Sequence, residues 1–222
     1  MYIKSHKKTY CVNGCSLFND KSPYNYWEDR KVTSDEEEIV NYINQNRNIK
    51  KNKILHVGIG NSFFASNIRN FEKIDGVTIS SNEINLAKNL NLKNYNVSFL
   101  NKYSNNEFLN QKFRNYDLII DVNLKSYSCC NIAFKKLFSD YVSILNPGGF
   151  IFTGKKGMNW SRMIKPIFSF SFKRLLHKKL KEVDGKENNL LKIEECKQLS
   201  NQYKLELKEI GNSNVVYFKM LG

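Results

Sequence analysis

Apolar residues recur along this chain in short blocks whose period alternates between strand-like and helix-like. Ile54 to Val57 is a four-residue apolar run that ends in a turn carrying Gly58 and Gly60. Phe63, Phe64, Ala65 and Ile68 follow near helical steps. Gly76 to Ser80 predicts a second strand, and Ser81 to Leu92 a helix on Ile84, Leu86, Ala87 and Leu90. Asn96 to Leu100 predicts a third strand. Tyr116 to Asp121 is almost uninterruptedly apolar, the pattern of a strand buried on both faces. Ala133 to Leu145 predicts a helix through Phe134, Leu137, Phe138, Tyr141 and Val142, stopped by Pro147-Gly148-Gly149. Phe150 to Thr153 is then the fifth strand. Near the end come a helix, Ile193 to Tyr203, and two strands, Leu205 to Ile210 and Val215 to Leu221, joined by Gly211-Asn212-Ser213-Asn214. Strands alternating with helices imply right-handed crossovers and a parallel sheet. The closing hairpin adds an antiparallel edge.

Residues 1–33 show little periodicity. Tyr24, Tyr26 and Trp27 gather there beside charges, either as a flap over a neighbouring pocket or as a cover for one end of the core. Ser34 then opens a helix as its N-cap, with Glu37 completing a capping box and acids filling the positive first turn. Ile39, Val40 and Ile43 form its apolar face. The predicted division is an N-terminal aromatic and polar segment, 1–33, and one domain, 34–222, with a basic insert over 154–191. A chain of 222 residues suits a single domain with a real core.

Composition narrows the classes. No apolar run approaches the roughly 18 residues of a membrane span, and no apolar region follows the basic start as in a signal peptide. The cysteines, Cys11, Cys15, Cys129, Cys130 and Cys196, are odd in number and irregularly spaced. That is no disulfide framework, and a reducing, cytoplasmic setting is expected. Cys11 and Cys15 lack a second ligand pair at matching spacing, which argues against zinc. The net charge of +14 favours anionic partners. General enrichment in Lys, Asn and Ile explains part of it without any ligand.

Ile54 to Ser62, ILHVGIGNS, is the stretch that suggests chemistry. A strand, a glycine turn and a helix start together place N–H groups at one mouth of a parallel sheet. Glycine takes positive φ easily and lets a ligand approach the backbone. An ordinary tight turn explains two glycines equally well. The succession of blocks is more specific. From about residue 34 onward the chain resembles the class I S-adenosylmethionine-dependent methyltransferases. ILHVGIGNS resembles that family's first motif, GVTISSNEINLAK its second strand and helix, YDLIID its fourth strand, and LNPGGFIF the approach to its fifth. The resemblance implies a Rossmann-like α/β fold. Its sheet would have seven strands, mostly parallel, with helices on both faces and a C-terminal antiparallel hairpin.

The same resemblance implies S-adenosylmethionine as cofactor and assigns contacts to Gly58, Gly60, Asn61, Thr78, Ser80 and Glu83, with His56 and Tyr103 as further candidates. It also exposes departures. His56 stands where the family usually has an acid, and Ser62 where a third glycine is frequent. Thr78 stands at the usual ribose-binding acid, and about Tyr103 at an acid that often meets adenine. A threonine at the Thr78 position resembles a subgroup that includes the cyclopropane-fatty-acid synthase relatives. There a glutamine five residues on helps hold the ribose. Glu83 occupies that place, either as a ribose acceptor or as a solvated helix acid. Tyr103 either stacks on adenine or is simply core. His56 either orients the glycine loop in place of the acid or serves as a base.

Methyl transfer from a sulfonium is an in-line displacement that needs an aligned nucleophile and, for a hydroxyl, a proton acceptor; no metal is required. The acceptor is expected beyond the fourth and fifth strands, near Asp121, Asn123, Lys125, Lys155, Asn159 and Trp160. Asp121 is the first candidate base and His177 the second; a strand-end capping acid and a surface histidine are the plain alternatives. Between 154 and 181 the chain holds nine Lys or Arg and no acid, interleaved with Ile164, Phe168, Phe172 and Leu176. Three readings of this insert compete: a lid over an anionic acceptor, a peripheral contact with an anionic membrane, or a packed helix with a solvated face. No NPPY-type signature and no nucleic-acid module accompany the charge, which argues against a nucleic-acid substrate. The expected function is methyl transfer to a small-molecule or glycan-linked acceptor, at oxygen. The alternatives are a lipid-directed methyltransferase and a degenerate relative that only binds.

Overall fold

The computed structural model describes residues 32–103, 113–125, 131–156, 190–211 and 214–222. The predicted N-terminal aromatic segment and nearly all of the basic insert, including His177, Asn159 and Trp160, lie outside them.

Seven strands form one sheet in the order β3-β2-β1-β4-β5-β7-β6. They are β1 Lys53–Val57, β2 Lys73–Thr78, β3 Tyr95–Phe99, β4 Tyr116–Ile120, β5 Leu145–Gly154, β6 Leu205–Ile210 and β7 Val215–Met220. The first five run parallel, and β7 lies antiparallel between β5 and β6. The helices are α1 Ser34–Gln45, α2 Phe63–Asn67, α3 Ser81–Asn89, α4 Asn131–Ile144 and α5 Ile193–Tyr203. This is the expected Rossmann-like architecture. Alternation along the central strands splits the core in two. Leu55, Val57, Ile119 and Ile151 pack with α4 and α5 through Leu137, Phe138 and Leu199. Ile54, Leu118, Ile120 and Phe152 pack on the other face with Ile39 and Ile43 of α1 and Phe64 of α2. All five residues of β4 are buried, as its apolar run requires.

Two local expectations are corrected. Thr33, not Ser34, is the N-cap of α1. Its extended backbone lets its hydroxyl accept from the Glu36 N–H at 3.3 Å, while the Glu36 carboxylate accepts from the Thr33 N–H at 2.9 Å. The capping box is therefore Thr33 with Glu36, and Ser34 is already helical. At the other correction, Pro147-Gly148-Gly149 does not follow the end of a helix but lies inside β5. The helix stops at Ile144, and the strand starts at Leu145. The β4–β5 register slips between Tyr116 and Leu118, and Gly148 takes a φ of 75°. An irregularity in the ladder is where a strand tolerates a residue without an N–H donor.

Polar ties hold the amino ends of the strands. Asp117 accepts from the backbone N–H groups of Asn52 and Lys53 at 2.9 and 3.2 Å and from the Asn146 side chain at 2.8 Å. An aromatic group closes the α1 face where Phe152 meets Tyr42, Phe150 and Tyr217 at centroid distances of 5.9, 5.8 and 5.7 Å. Phe152 is fully buried, so Phe152→Ala should cost about 3–5 kcal/mol through lost burial and a residual cavity. Urea unfolding of the variant checks this, with a fall in midpoint at unchanged slope expected.

Candidate functional site

The chain winds outward from β1 to β2 and β3, then returns to build β4 and β5 on the other side. The carboxyl ends of β1 and β4, paired at His56 and Ile120, therefore flank a crevice that neither crossover covers. The glycine loop begins there. Gly58 and Gly60 have φ of 71° and 52°, in the left-handed region that glycine accepts without strain. The Gly58 N–H is tied to the Val77 carbonyl at 2.8 Å. A Cβ built on Gly58 would meet nothing within 4 Å, so this backbone faces open space.

Ser62 shows why a third glycine is dispensable. It takes the left-handed conformation itself, with φ 62° and ψ 27°. Its hydroxyl shares a 3.0 Å hydrogen bond with the Tyr95 hydroxyl, which opposes the steric cost of a Cβ in that region. Burial pushes the Tyr95 phenol up to about 12, so it stays protonated and available for this bond.

Glu83 closes the loop onto β2. Its Oε2 accepts from the Gly60 N–H at 3.1 Å and from the Thr78 hydroxyl at 2.5 Å. The Thr78 hydroxyl also accepts from the Ser80 N–H at 3.1 Å. Ser80 caps α3 by accepting from the Glu83 N–H at 3.4 Å. Four residues proposed from sequence, Gly60, Thr78, Ser80 and Glu83, thus form one connected network beside Gly58. Glu83 is only 5 % exposed. The solvated-acid reading of Glu83 does not describe this geometry. Asn61 projects from the same loop, and its buried Oδ1 has no hydrogen-bond partner among the described residues.

His56 and Tyr103 stand apart from that network. His56 is buried on the α1–α2 side of β1, with its ring edge-on to Phe64 at 4.9 Å. Tyr103 is buried in the opposite core cluster, and its hydroxyl donates to the Leu124 carbonyl at 3.3 Å.

Asp121 follows β4 and is 1 % exposed. Lys102 Nζ lies 3.2 and 3.0 Å from its two oxygens, the Tyr141 hydroxyl donates to Oδ2 at 2.9 Å, and the Asn123 N–H donates to Oδ1 at 3.2 Å. Lys102 also reaches the carbonyls of Asn123 and Leu124, at 2.7 and 3.3 Å. Burial lowers the Lys102 ammonium below the usual lysine range, and the Asp121 charge opposes that shift. Burial and the same carboxylate push the Tyr141 phenol far up. The Asp121 oxygens are therefore committed to holding the 121–125 loop. Lys125, at its far end, is anchored to Glu195 of α5 at 2.6 Å. Lys102 was not legible as a partner, because nineteen residues separate it from Asp121 and no local periodicity links them. The Oδ1 of Asn123, on this loop, is buried without a hydrogen-bond partner among the described residues. A separate shallow cleft, lined by Arg114, Asn115, Ser143 and Ile144, opens at the opposite end of the strands, away from these groups.

Removing one member of a buried ion pair leaves an uncompensated charge. Lys102→Met should therefore destabilise by about 3–5 kcal/mol. The double variant Lys102→Met with Asp121→Asn should recover part of that loss. Denaturant unfolding of the two singles and the double measures the coupling; strict additivity would show that the pair does not act as a unit.

No family model matches the sequence, and no curated protein matches it in sequence. Solved structures do match the fold. The N-methyltransferase NodS from Bradyrhizobium japonicum, in complex with S-adenosyl-L-homocysteine, is similar over 85 % of this chain and 88 % of its own, with TM-score 0.56 and 11 % identity. An O-methyltransferase family protein from Burkholderia thailandensis is similar over 84 % of this chain and 56 % of its own, with TM-score 0.58 and 10 % identity. The carbon methyltransferase CurJ covers 83 % of this chain and 52 % of its own, with TM-score 0.52 and 16 % identity. The strand order, the open crevice at β1 and β4 and these neighbours agree: the chain has the fold of the class I S-adenosylmethionine-dependent methyltransferases.

Proposed function

We infer that this protein is an S-adenosylmethionine-dependent methyltransferase that acts on a small-molecule or glycan-linked acceptor, at oxygen. The observation that carries the reading is the network joining Gly60, Thr78, Ser80 and Glu83 at the open end of β1 and β2. It replaces the customary acids with a buried carboxylate at the same mouth.

The residues fit the cofactor on three counts. Gly58 has room in front of its backbone. The carboxamide oxygens of Asn61 and Asn123 are buried acceptors without a partner among the described residues, and the cofactor carries ammonium and amino donors. The Glu83 carboxylate lies on the glycine loop and the end of β2, which supports its reading as the acceptor for the ribose hydroxyls. Gly58, Gly60, Asn61, Thr78, Ser80 and Glu83 would hold the cofactor, which supplies a methyl group already activated on a sulfonium. The chain's own work is to keep the loop ordered, to exclude water and to orient the acceptor. Lys102, Asp121 and Tyr141 brace the wall of the crevice on the β4 side. The basic stretch that follows β5 favours an anionic acceptor, and the absence of a nucleic-acid module favours a small molecule or glycan over a polynucleotide.

Titration with S-adenosylhomocysteine tests the reading. Ligand at about a hundred times its dissociation constant stabilises by roughly 2.7 kcal/mol. For a domain of this size that is a rise in melting temperature of about 5–10 °C. The rise should be saturable and absent in Gly58→Arg, whose side chain fills the open space. No shift at millimolar ligand would leave a binding protein without the cofactor. Glu83→Ala should weaken S-adenosylhomocysteine about tenfold or more, since hydrogen bonds to a charged group are lost. Unchanged affinity by calorimetry would remove Glu83 from the site.

A further inference from the structure

The carboxyl ends of β4 and β5 meet at Val122 and Gly154, where the Gly154 N–H donates to the Val122 carbonyl at 3.1 Å. The first turn of α1 comes down on this point. A Cβ built on Gly154 would lie 3.0 Å from Asp35 Oδ2 and 3.2 Å from the Val122 carbonyl. Any larger residue at 154 would therefore displace the Asp35 carboxylate. The β6–β7 turn borders the same place, since the Lys155 N–H donates to the Asn214 carbonyl at 2.7 Å. From sequence Asp35 is one of four consecutive acids that favour a helix start. In the fold it is the one set into the β4–β5 junction. Among the described residues it takes part in no hydrogen bond or ion pair.

We propose that Asp35 is the catalytic proton acceptor on the acceptor side of the crevice, a role that rests on the methyltransferase reading. Asp121 is the first candidate base from sequence, but its oxygens are taken by Lys102, Tyr141 and the Asn123 N–H. Asp35 sits at the neighbouring strand end with its carboxylate against Gly154. As the acceptor hydroxyl attacks, its oxygen pair forms the new C–O bond and its proton passes to the Asp35 carboxylate. The C–S bond breaks with its pair staying on sulfur, and the sulfonium becomes a neutral thioether. One negative and one positive charge disappear together, so the step is favoured in a partly dry site.

The surroundings suit a base. Burial raises the Asp35 carboxyl above its ordinary 3.8; Lys156 opposes the shift, and Glu38 and Glu36 add to it. The Glu36 carboxylate is held by Thr33, and Lys155 is paired with Glu209 at 2.5 Å, so among the described residues Lys156 is the cation that faces Asp35.

The test needs no knowledge of the acceptor. Sinefungin carries a protonated amine on the carbon that replaces the sulfonium, so a carboxylate facing the methyl position strengthens it relative to uncharged S-adenosylhomocysteine. Calorimetry on the full chain should give a sinefungin preference that Asp35→Asn lowers about tenfold, with S-adenosylhomocysteine affinity retained. Retained affinity also reports that the variant is folded. Glu37→Gln, an exposed acid of the same turn, should leave the preference unchanged. In the wild type the preference should fade as pH drops and Asp35 takes up its proton, at a pH above that of a free aspartate; in Asp35→Asn it should be flat through that range. Equal effects of Asp35→Asn on both ligands, or no effect on either, overturn the assignment. If the wild type binds neither ligand, the methyltransferase reading itself fails, and the role of Asp35 falls with it.

Discussion

Where the chain reverses its winding, between β1 and β4, two parallel strands end side by side with no crossover above them. That constraint governs the rest. A parallel sheet must be covered on both faces, which α1 and α2 on one side and α4 and α5 on the other accomplish. The ends of the strands cannot be covered in the same way, and their backbone groups must be satisfied by loops. Polar side chains of the segments directly after β1, β2 and β4 therefore gather at this mouth.

The acids customary in this fold have moved rather than vanished. The strand position that His56 occupies is buried against Phe64 and carries no carboxylate. The glycine loop is held instead by Glu83, reached from the first turn of α3 through space. Thr78 completes the arrangement by donating to that carboxylate and accepting from Ser80. On the other side of the crevice, Lys102 and Asp121 neutralise each other in the wall. Lys102, one residue before Tyr103, is tolerable in the wall because Asp121 lies within reach of it.

The neighbours in fold transfer methyl groups to nitrogen, oxygen and carbon, at 10–16 % identity to this chain. The fold is common ground among them, so it does not by itself select an acceptor atom, and the residues at the ends of β4 and β5 are what is particular to this chain. In this chain those residues are Asn123 and Lys125 after β4, Lys155 and Lys156 after β5, and Asp35 arriving from α1. Lys125 and Lys155 are paired with Glu195 and Glu209, which leaves Asp35 and Lys156 facing each other at the end of β5.

Periodicity marked where each strand and helix described lies but not where it ends. The second strand spans Lys73–Thr78 rather than Gly76–Ser80, and the fifth begins at Leu145 rather than Phe150. A strand buried on both faces or a helix with one apolar side leaves a local mark. The YDLIID run of β4 and the α4 pattern of Phe134, Leu137, Phe138 and Tyr141 are examples. The glycine loop was legible for the same reason, since Gly58 and Gly60 must stand where φ is positive. The resemblance to the methyltransferase family brought Thr78, Ser80 and Glu83 forward, and the structure joins them in one network. The helix cap slipped by one residue and the Pro147 turn was misread, because both depend on which backbone groups find partners rather than on apolar spacing. Only the tertiary structure decided that Lys102 locks Asp121 and that Asp35, rather than its neighbours in the same acidic run, meets Gly154. Those pairings join residues 19 and 119 positions apart, and no local pattern records which charge will be buried against which strand end.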